Sequence, residues 1–336
     1  MTPDPRLPHH PSVDRRRFLL TSLAGAVATP PAAMAQQAGK IYRIGLVGLD
    51  SSEVPGHMAL RQGLRDLGYY EGKNLIIEYR PAEGRYDRLP ALTAELVRLK
   101  VDLLVTNGTP GARAAKQATM TIPVVVAIIG DAVAAGIVAS LARPGGNITG
   151  SQFHFPDLMA KRIELLRDAM PALTRIGVMF NVANQAFSPA LKAMEARAQF
   201  LKVELQPVEI RSAQDFGGAL STLAQRRSEA LIVADDSMLR TYGRTIAELA
   251  ATRRLPSIGD REYVYDGGLL AYAVNRPEVW RRAAVFVDKL LKGANPDDLP
   301  FEQIDRIEFV VNLKTAKALG LTIPPSLLAR ADQVIE

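Results

Sequence analysis

The stretch Asn107-Gly108-Thr109-Pro110-Gly111 joins the end of an apolar run to the start of an Ala-rich segment. A strand that turns into a helix this way presents unpaired backbone N–H groups and the positive end of the helix dipole. Such a turn is suited to hold an anion. A nucleotide phosphate, a catalytic oxyanion and the carboxylate of a small ligand all fit. Similar polar groups close the other apolar runs: Asp50-Ser51-Ser52, Gly130-Asp131, Asn181 with Asn184, and Asp235-Asp236. Each of these residue types also caps helices, so no single one decides the matter. As a set, Ser51, Ser52, Gly108 and Thr109 offer hydroxyl and amide donors that suit a carboxylate, whereas Asp131, Asp235 and Asp236 suit an ammonium. A free α-amino acid carries both groups. Aromatic residues are only 6% of the chain, yet Phe153, Phe155, Tyr263, Tyr265 and Tyr272 fall near the expected crossings between lobes. A ring there could stack on a ligand or simply pack.

Other chemistry lacks its residues. The chain has no cysteine, which excludes disulfides, thiolate metal sites and a Cys nucleophile. Of the four histidines, His9 and His10 lie at the extreme N-terminus, leaving His57 and His154. No G-x-S-x-G elbow, no P-loop and no G-x-G-x-x-G motif after the first strand occurs. No cluster has metal-ligand spacing. The expectation is a protein without metal or cofactor that is not an enzyme.

The elements that must position these residues alternate regularly. Strands are predicted over 41–48, 74–80, 101–107 and 122–129, with helices over 54–67, 86–99, 108–118 and 131–141. A Gly-rich break over 143–150 follows. The rhythm then restarts, with helices over 156–169, 188–201, 213–226, 242–253 and 278–291. Strands lie over 175–181, 203–210, 229–236, 255–259, 267–274 and 307–312. Strands alternating with helices of this length form parallel sheets covered on both faces. The expected fold is α/β, two doubly wound parallel-sheet lobes joined by a hinge; one large sheet is the alternative. YRIGLVG and TRIGVMFN open their sets alike, which hints at duplication.

The chain of 336 residues has 48% hydrophobic content and net charge +6. Residues 1–35 carry +2 of that charge, and the remainder mixes both signs, so a nucleic-acid partner is not expected. The N-terminus reads as an export signal: Arg15-Arg16-Arg17, a weakly apolar stretch from Phe18 to Ala28, then Ala33-Met34-Ala35. Arg-Arg-x-Phe-Leu fits the twin-arginine pattern, with cleavage expected after about Ala35; a retained membrane anchor is the alternative.

The stretch GTPGARAAKQATMTIPVVVAIIGDAVAAGIVASLARPGGNITG resembles the signature region of the tryptophan/tyrosine-type ABC transporter substrate-binding proteins. This family is a branch of the type I periplasmic binding fold. LGYYEGKNLIIEYRPAEGRYDRLPALTAELVRLKVDLLV and the closing NLKTAKALGLTIPPSLLARADQVIE resemble it too. The resemblance implies a small solute, such as an amino acid or related carboxylate, clamped between residues 41–152 and 153–274. Residues 275–304 complete the first lobe and 305–336 the second. It implies a ligand carboxylate at Gly108-Thr109-Pro110 and an ammonium at Asp235 or Asp236. Gly130-Asp131 corresponds to the family's G-D turn, with Ala132 where Pro is usual, and Asn181 and Asn184 to its N-x-x-N. Tyr263 and Tyr272 would pass the cleft. The implied partner is an ABC permease in the inner membrane, and the protein would be a periplasmic monomer. A sensing subunit for a membrane receptor and an α/β enzyme acting on a small acid are the alternatives.

Overall fold

The computed structural model describes residues 40–49 and 54–336. The first apolar runs form β1 (Tyr42–Gly48), β2 (Leu75–Pro81), β3 (Leu103–Thr106), β4 (Val124–Ile129) and β5 (Ile148–Gln152). With β11 (Glu302–Gln303) they make a six-stranded sheet in the order β11-β5-β4-β3-β1-β2. Every pairing in it is parallel. Residues of β3 and β4 are buried throughout, the pattern of central parallel strands covered on both faces. Their side chains alternate between two cores. Leu104, Val124 and Val126 face α2 (Leu89–Arg98) and α3 (Gly108–Ala118); Leu103, Val105 and Val125 face α1 (Pro55–Asp66) and α10 (Arg276–Leu291).

The second sheet has seven strands in the order β13-β12-β10-β9-β8-β6-β7. These are β6 (Arg175–Asn181), β7 (Glu204–Ile210), β8 (Ala230–Val233), β9 (Ser257–Gly259), β10 (Leu270–Val274), β12 (Ile307–Asn312) and β13 (Gln333–Ile335). Only β10 and β12 pair antiparallel among them. Helices α4 (Phe155–Ala169), α5 (Phe187–Leu201), α6 (Asp215–Gln225), α7 (Ser237–Thr241), α8 (Gly243–Thr252) and α9 (Arg261–Tyr265) accompany this sheet, and α11 (Leu313–Leu319) and α12 (Pro325–Leu328) close the chain.

The chain passes between the sheets three times: after β5, after β10 and after β11. The second passage returns α10 to the first sheet, where it packs on α1. Trp280 of α10 is buried so closely under Gly56 that a Cβ there would lie 2.5 Å from its ring. These passages place the carboxyl ends of both sets of parallel strands around a common cleft, where ligands of open α/β sheets bind.

Two expected elements differ. Residues 131–141 form successive turns, not a helix. The Asp131 carboxylate accepts from the amides of Val133 and Ala134, Gly136 takes φ +66°, and the amides of Ile137 and Val138 both donate to the Ala132 carbonyl. The Asx-type bonds and the left-handed glycine replace the helical ladder. The Gly-rich break over 143–150 contains the start of β5, a strand of the first sheet.

Candidate functional site

On the first-sheet side, β3 delivers the chain to Asn107, which is extended, and then to Gly108 at φ +70°. A Cβ at Gly108 would meet nothing closer than Pro110 at 3.7 Å, so the backbone angle is what favours glycine there. Gly111 is needed for space instead: its Cβ would sit 2.2 Å from the Thr106 hydroxyl. No side chain caps α3, and its first turn holds no acidic residue. The Asn107 amide oxygen is buried and without a hydrogen-bond partner. An uncapped helix start of this kind is a donor site for an anion. Gly108, Thr109 and Pro110 line the cleft beside Gly130, Phe153 and Phe155.

Across the cleft, β8 ends at two adjacent carboxylates with different surroundings. Asp236 is the N-cap of α7. Its Oδ1 accepts from the amides of Met238 (2.9 Å) and Leu239 (3.2 Å) and from Asn181 Nδ2 (3.3 Å). Its Oδ2 accepts from Asn184 Nδ2 (3.0 Å) and the Tyr86 hydroxyl. Asp235 lies in the cleft wall with one oxygen, Oδ1, held at 2.8 Å by Arg162. Arg162 comes from α4 and is fully buried. Its guanidinium also donates to the carbonyls of Val233 and Tyr272. Those carbonyls take the remaining guanidinium donors, and Asp235 meets Arg162 through Oδ1.

A second buried charge group lies behind. Arg240 Nε donates to Asp260 Oδ2 at 2.8 Å, and Asp260 Oδ1 accepts from the Tyr263 amide. Burial alone would raise the Asp260 pKa, but Arg240, the Tyr263 amide, Arg276 and Arg162 together outweigh it and hold it below the ordinary aspartate value. Glu262 goes the other way: burial and the Asp260 charge push its carboxyl above the ordinary glutamate value.

The sequence-derived residues therefore separate. Gly108, Thr109, Asn184, Asp235 and Asp236 come together around the cleft. Asn181 sits beneath it, bound to Asp236 and to the Ala183 amide. Asp131 is outside the cleft lining, its carboxylate used by the turn that follows. Tyr263 is a core residue, 3% exposed, with its hydroxyl on Ser257 and its ring held between Gly259 and Gly268. Tyr272 is on β10, where its carbonyl serves Arg162 and its side chain packs against the hydrophobic core of the second sheet. Tyr265 is exposed against Arg261. Asp50, Ser51, Ser52 and the expected signal at 1–35 lie outside the described residues. Residue reading missed Tyr86, Arg240 and Arg276, which line the cleft. Tyr86 opens the helical pattern over 86–99 and reads as part of it. Arg240 follows Asp236 by one turn, a spacing that could have flagged it.

The family described as ABC transporter substrate binding protein matches residues 53–335. The chain belongs to that family. This substrate-binding protein is 26% identical over 261 residues to a tyrosine-binding protein of Clostridioides difficile (strain R20291), covering 77% of this chain and 75% of that one. It is 26% identical, with TM-score 0.81, to an ABC domain from Streptococcus pneumoniae solved in complex with L-Trp, covering 88% of this chain and all of that one. A conserved domain protein from Vibrio cholerae O1 biovar El Tor superposes equally well, at 27% identity and TM-score 0.81 over 88% of this chain and 100% of that one. The α/β fold read from the sequence, of the type I periplasmic binding kind, is the observed one. The family consists of extracytoplasmic solute binders that serve ABC transporters, not of enzymes. No helix among the described residues is long and apolar enough to cross a membrane.

Proposed function

We propose that this substrate-binding protein is the periplasmic receptor of an ABC importer for an amino acid or a related small carboxylate. The observation that carries this is the pairing of opposites across one cleft. The uncapped start of α3 supplies amide donors on one side, and Asp235 supplies a carboxylate on the other. The ligand carboxylate binds at Gly108 and Thr109, and the ammonium at Asp235. Asn181, Asn184 and Asp236 form the scaffold beneath. The lobes are residues 41–152 with 275–304, and 153–274 with 305–336. The hinge is the set of three passages between the sheets. Ligand contacts to both lobes favour the closed arrangement. The closed monomer then docks on the inner-membrane permease. Residues 1–35 serve as a twin-arginine-type signal that directs the protein to the periplasm.

Asp235→Asn tests the ammonium assignment. Alanine would strand the buried Arg162 charge, whereas asparagine keeps an acceptor for it. Loss of a charge-assisted bond is expected to weaken an amine-bearing ligand by about 1.5–3 kcal/mol. The affinity of the corresponding acid without the amine should barely change. Calorimetric titration of the pair reads both. Equal losses for the two ligands would contradict the assignment.

A further inference from the structure

The cleft between Thr109 and Asp235 is small, about 60 Å3, too little for a whole amino acid. Beside it lies a chamber of about 670 Å3, and the two share Leu49, Arg240 and Arg276. Ligand pockets typically enclose about 300–1,000 Å3, so the chamber alone has the volume for a ligand side chain. Its walls include Tyr79, Tyr242 and Trp280, and Glu262 lines it. Glu262 Oε2 is buried with no hydrogen-bond partner. Leaving such an oxygen unsatisfied costs stability, and a native fold tolerates it mainly where it serves another purpose. The nearby guanidiniums of Arg240 and Arg276 act on this carboxyl electrostatically and disfavour a further cation placed directly beside Glu262. A neutral donor does not meet that repulsion.

We propose that Glu262 is a specificity-determining residue: its unpartnered oxygen accepts a hydrogen bond from a neutral O–H or N–H at the far end of a ligand side chain that extends from the cleft into the chamber. This rests on the reading above, in which the ligand carboxylate sits at Gly108 and Thr109. It adds a requirement that the carboxylate site does not impose, a donor distant from the head group.

The test is calorimetric titration of the full chain with two ligand pairs that differ by one hydroxyl, L-tyrosine against L-phenylalanine and 4-hydroxybenzoate against benzoate. The unmodified protein should prefer the hydroxylated member of the pair it binds by about tenfold or more. Glu262→Met should lose that preference without weakening the other member, and Glu262→Gln, which keeps an acceptor oxygen, should retain most of it. Unliganded Glu262→Met should melt no lower than the unmodified protein, because an unsatisfied group has been removed; a residue serving only the fold would lower the melting temperature. Binding without preference, or a preference that survives in Glu262→Met, overturns the role of Glu262 and leaves the solute class standing. Failure of all four compounds to bind also overturns the role of Glu262; the solute class itself falls only if no amino acid or related carboxylate binds.

Discussion

Asp235 and Asp236 are neighbours in sequence with opposite fates. A carboxylate offers about four lone-pair sites, and Asp236 already receives donors from Tyr86, Asn181, Asn184 and two amides. Its capacity is spent on the scaffold. Asp235 retains an oxygen that Arg162 does not hold, which is why the ligand proposal rests there. Elsewhere a carboxylate serves the fold alone. Glu229 accepts from the amides of Thr174 (2.6 Å) and Arg175 (3.2 Å) and pairs with the Arg175 guanidinium. Burial would raise its pKa, but these donors outweigh burial and hold it below the ordinary glutamate value. A lowered folded-state pKa means stability present above the unfolded value and lost as pH falls through the folded one. Glu229→Gln should therefore melt below the unmodified protein at neutral pH, and the gap should close on acidification. A gap that persists in acid would show that packing, not charge, is responsible. Sequence reading could name Asp, Asn and Thr at strand ends, because capping and ligand binding draw on the same residue types. It could not tell Asp131, which is spent on its own turn, from Asp235, because that depends on which donors the tertiary fold brings near.

At the scale of elements, period and length were enough to read most of the strands and helices, including the buried runs of β3 and β4. The misreadings fell where glycine carries the geometry. β5 begins inside a Gly-rich stretch that reads as a break. Gly150 lies within it at φ +151°, and a Cβ there would be 2.0 Å from the Val126 carbonyl oxygen of β4. Here glycine permits close strand pairing. Gly150→Ala should destabilise the protein by about 2 kcal/mol or more, from backbone strain and collision together. Denaturant titration checks this, and an unchanged midpoint would mean that β4 and β5 separate without cost. The turns over 131–141 failed as a helix for the complementary reason. An apolar spacing of helical period was overruled by local bonds from Asp131 and by left-handed Gly136.

At the scale of the molecule, a hydrogen bond crosses the cleft: Tyr86, which follows β2 of the first sheet, donates to Asp236 of the second. Arg113 of α3 likewise donates to Gln185. In the proposed hinge closure, these contacts would be made only while the two sheets are close, and they would favour the closed arrangement before any ligand adds to it. Tyr86→Phe should shift the unliganded protein toward the open form. Small-angle scattering would read this as a larger radius of gyration, with the liganded value unchanged. Identical unliganded radii would mean that the tyrosine contributes nothing to closure. The central claim is that the cleft binds a small carboxylate by closing on it. A thermal-shift screen of the full chain against the amino acids and related carboxylates tests it most directly. A ligand present at 100 times its dissociation constant stabilises the folded state by about 2.7 kcal/mol. The account predicts a clear rise in melting temperature with at least one amino acid or close carboxylate relative. A flat response across the whole set would contradict it.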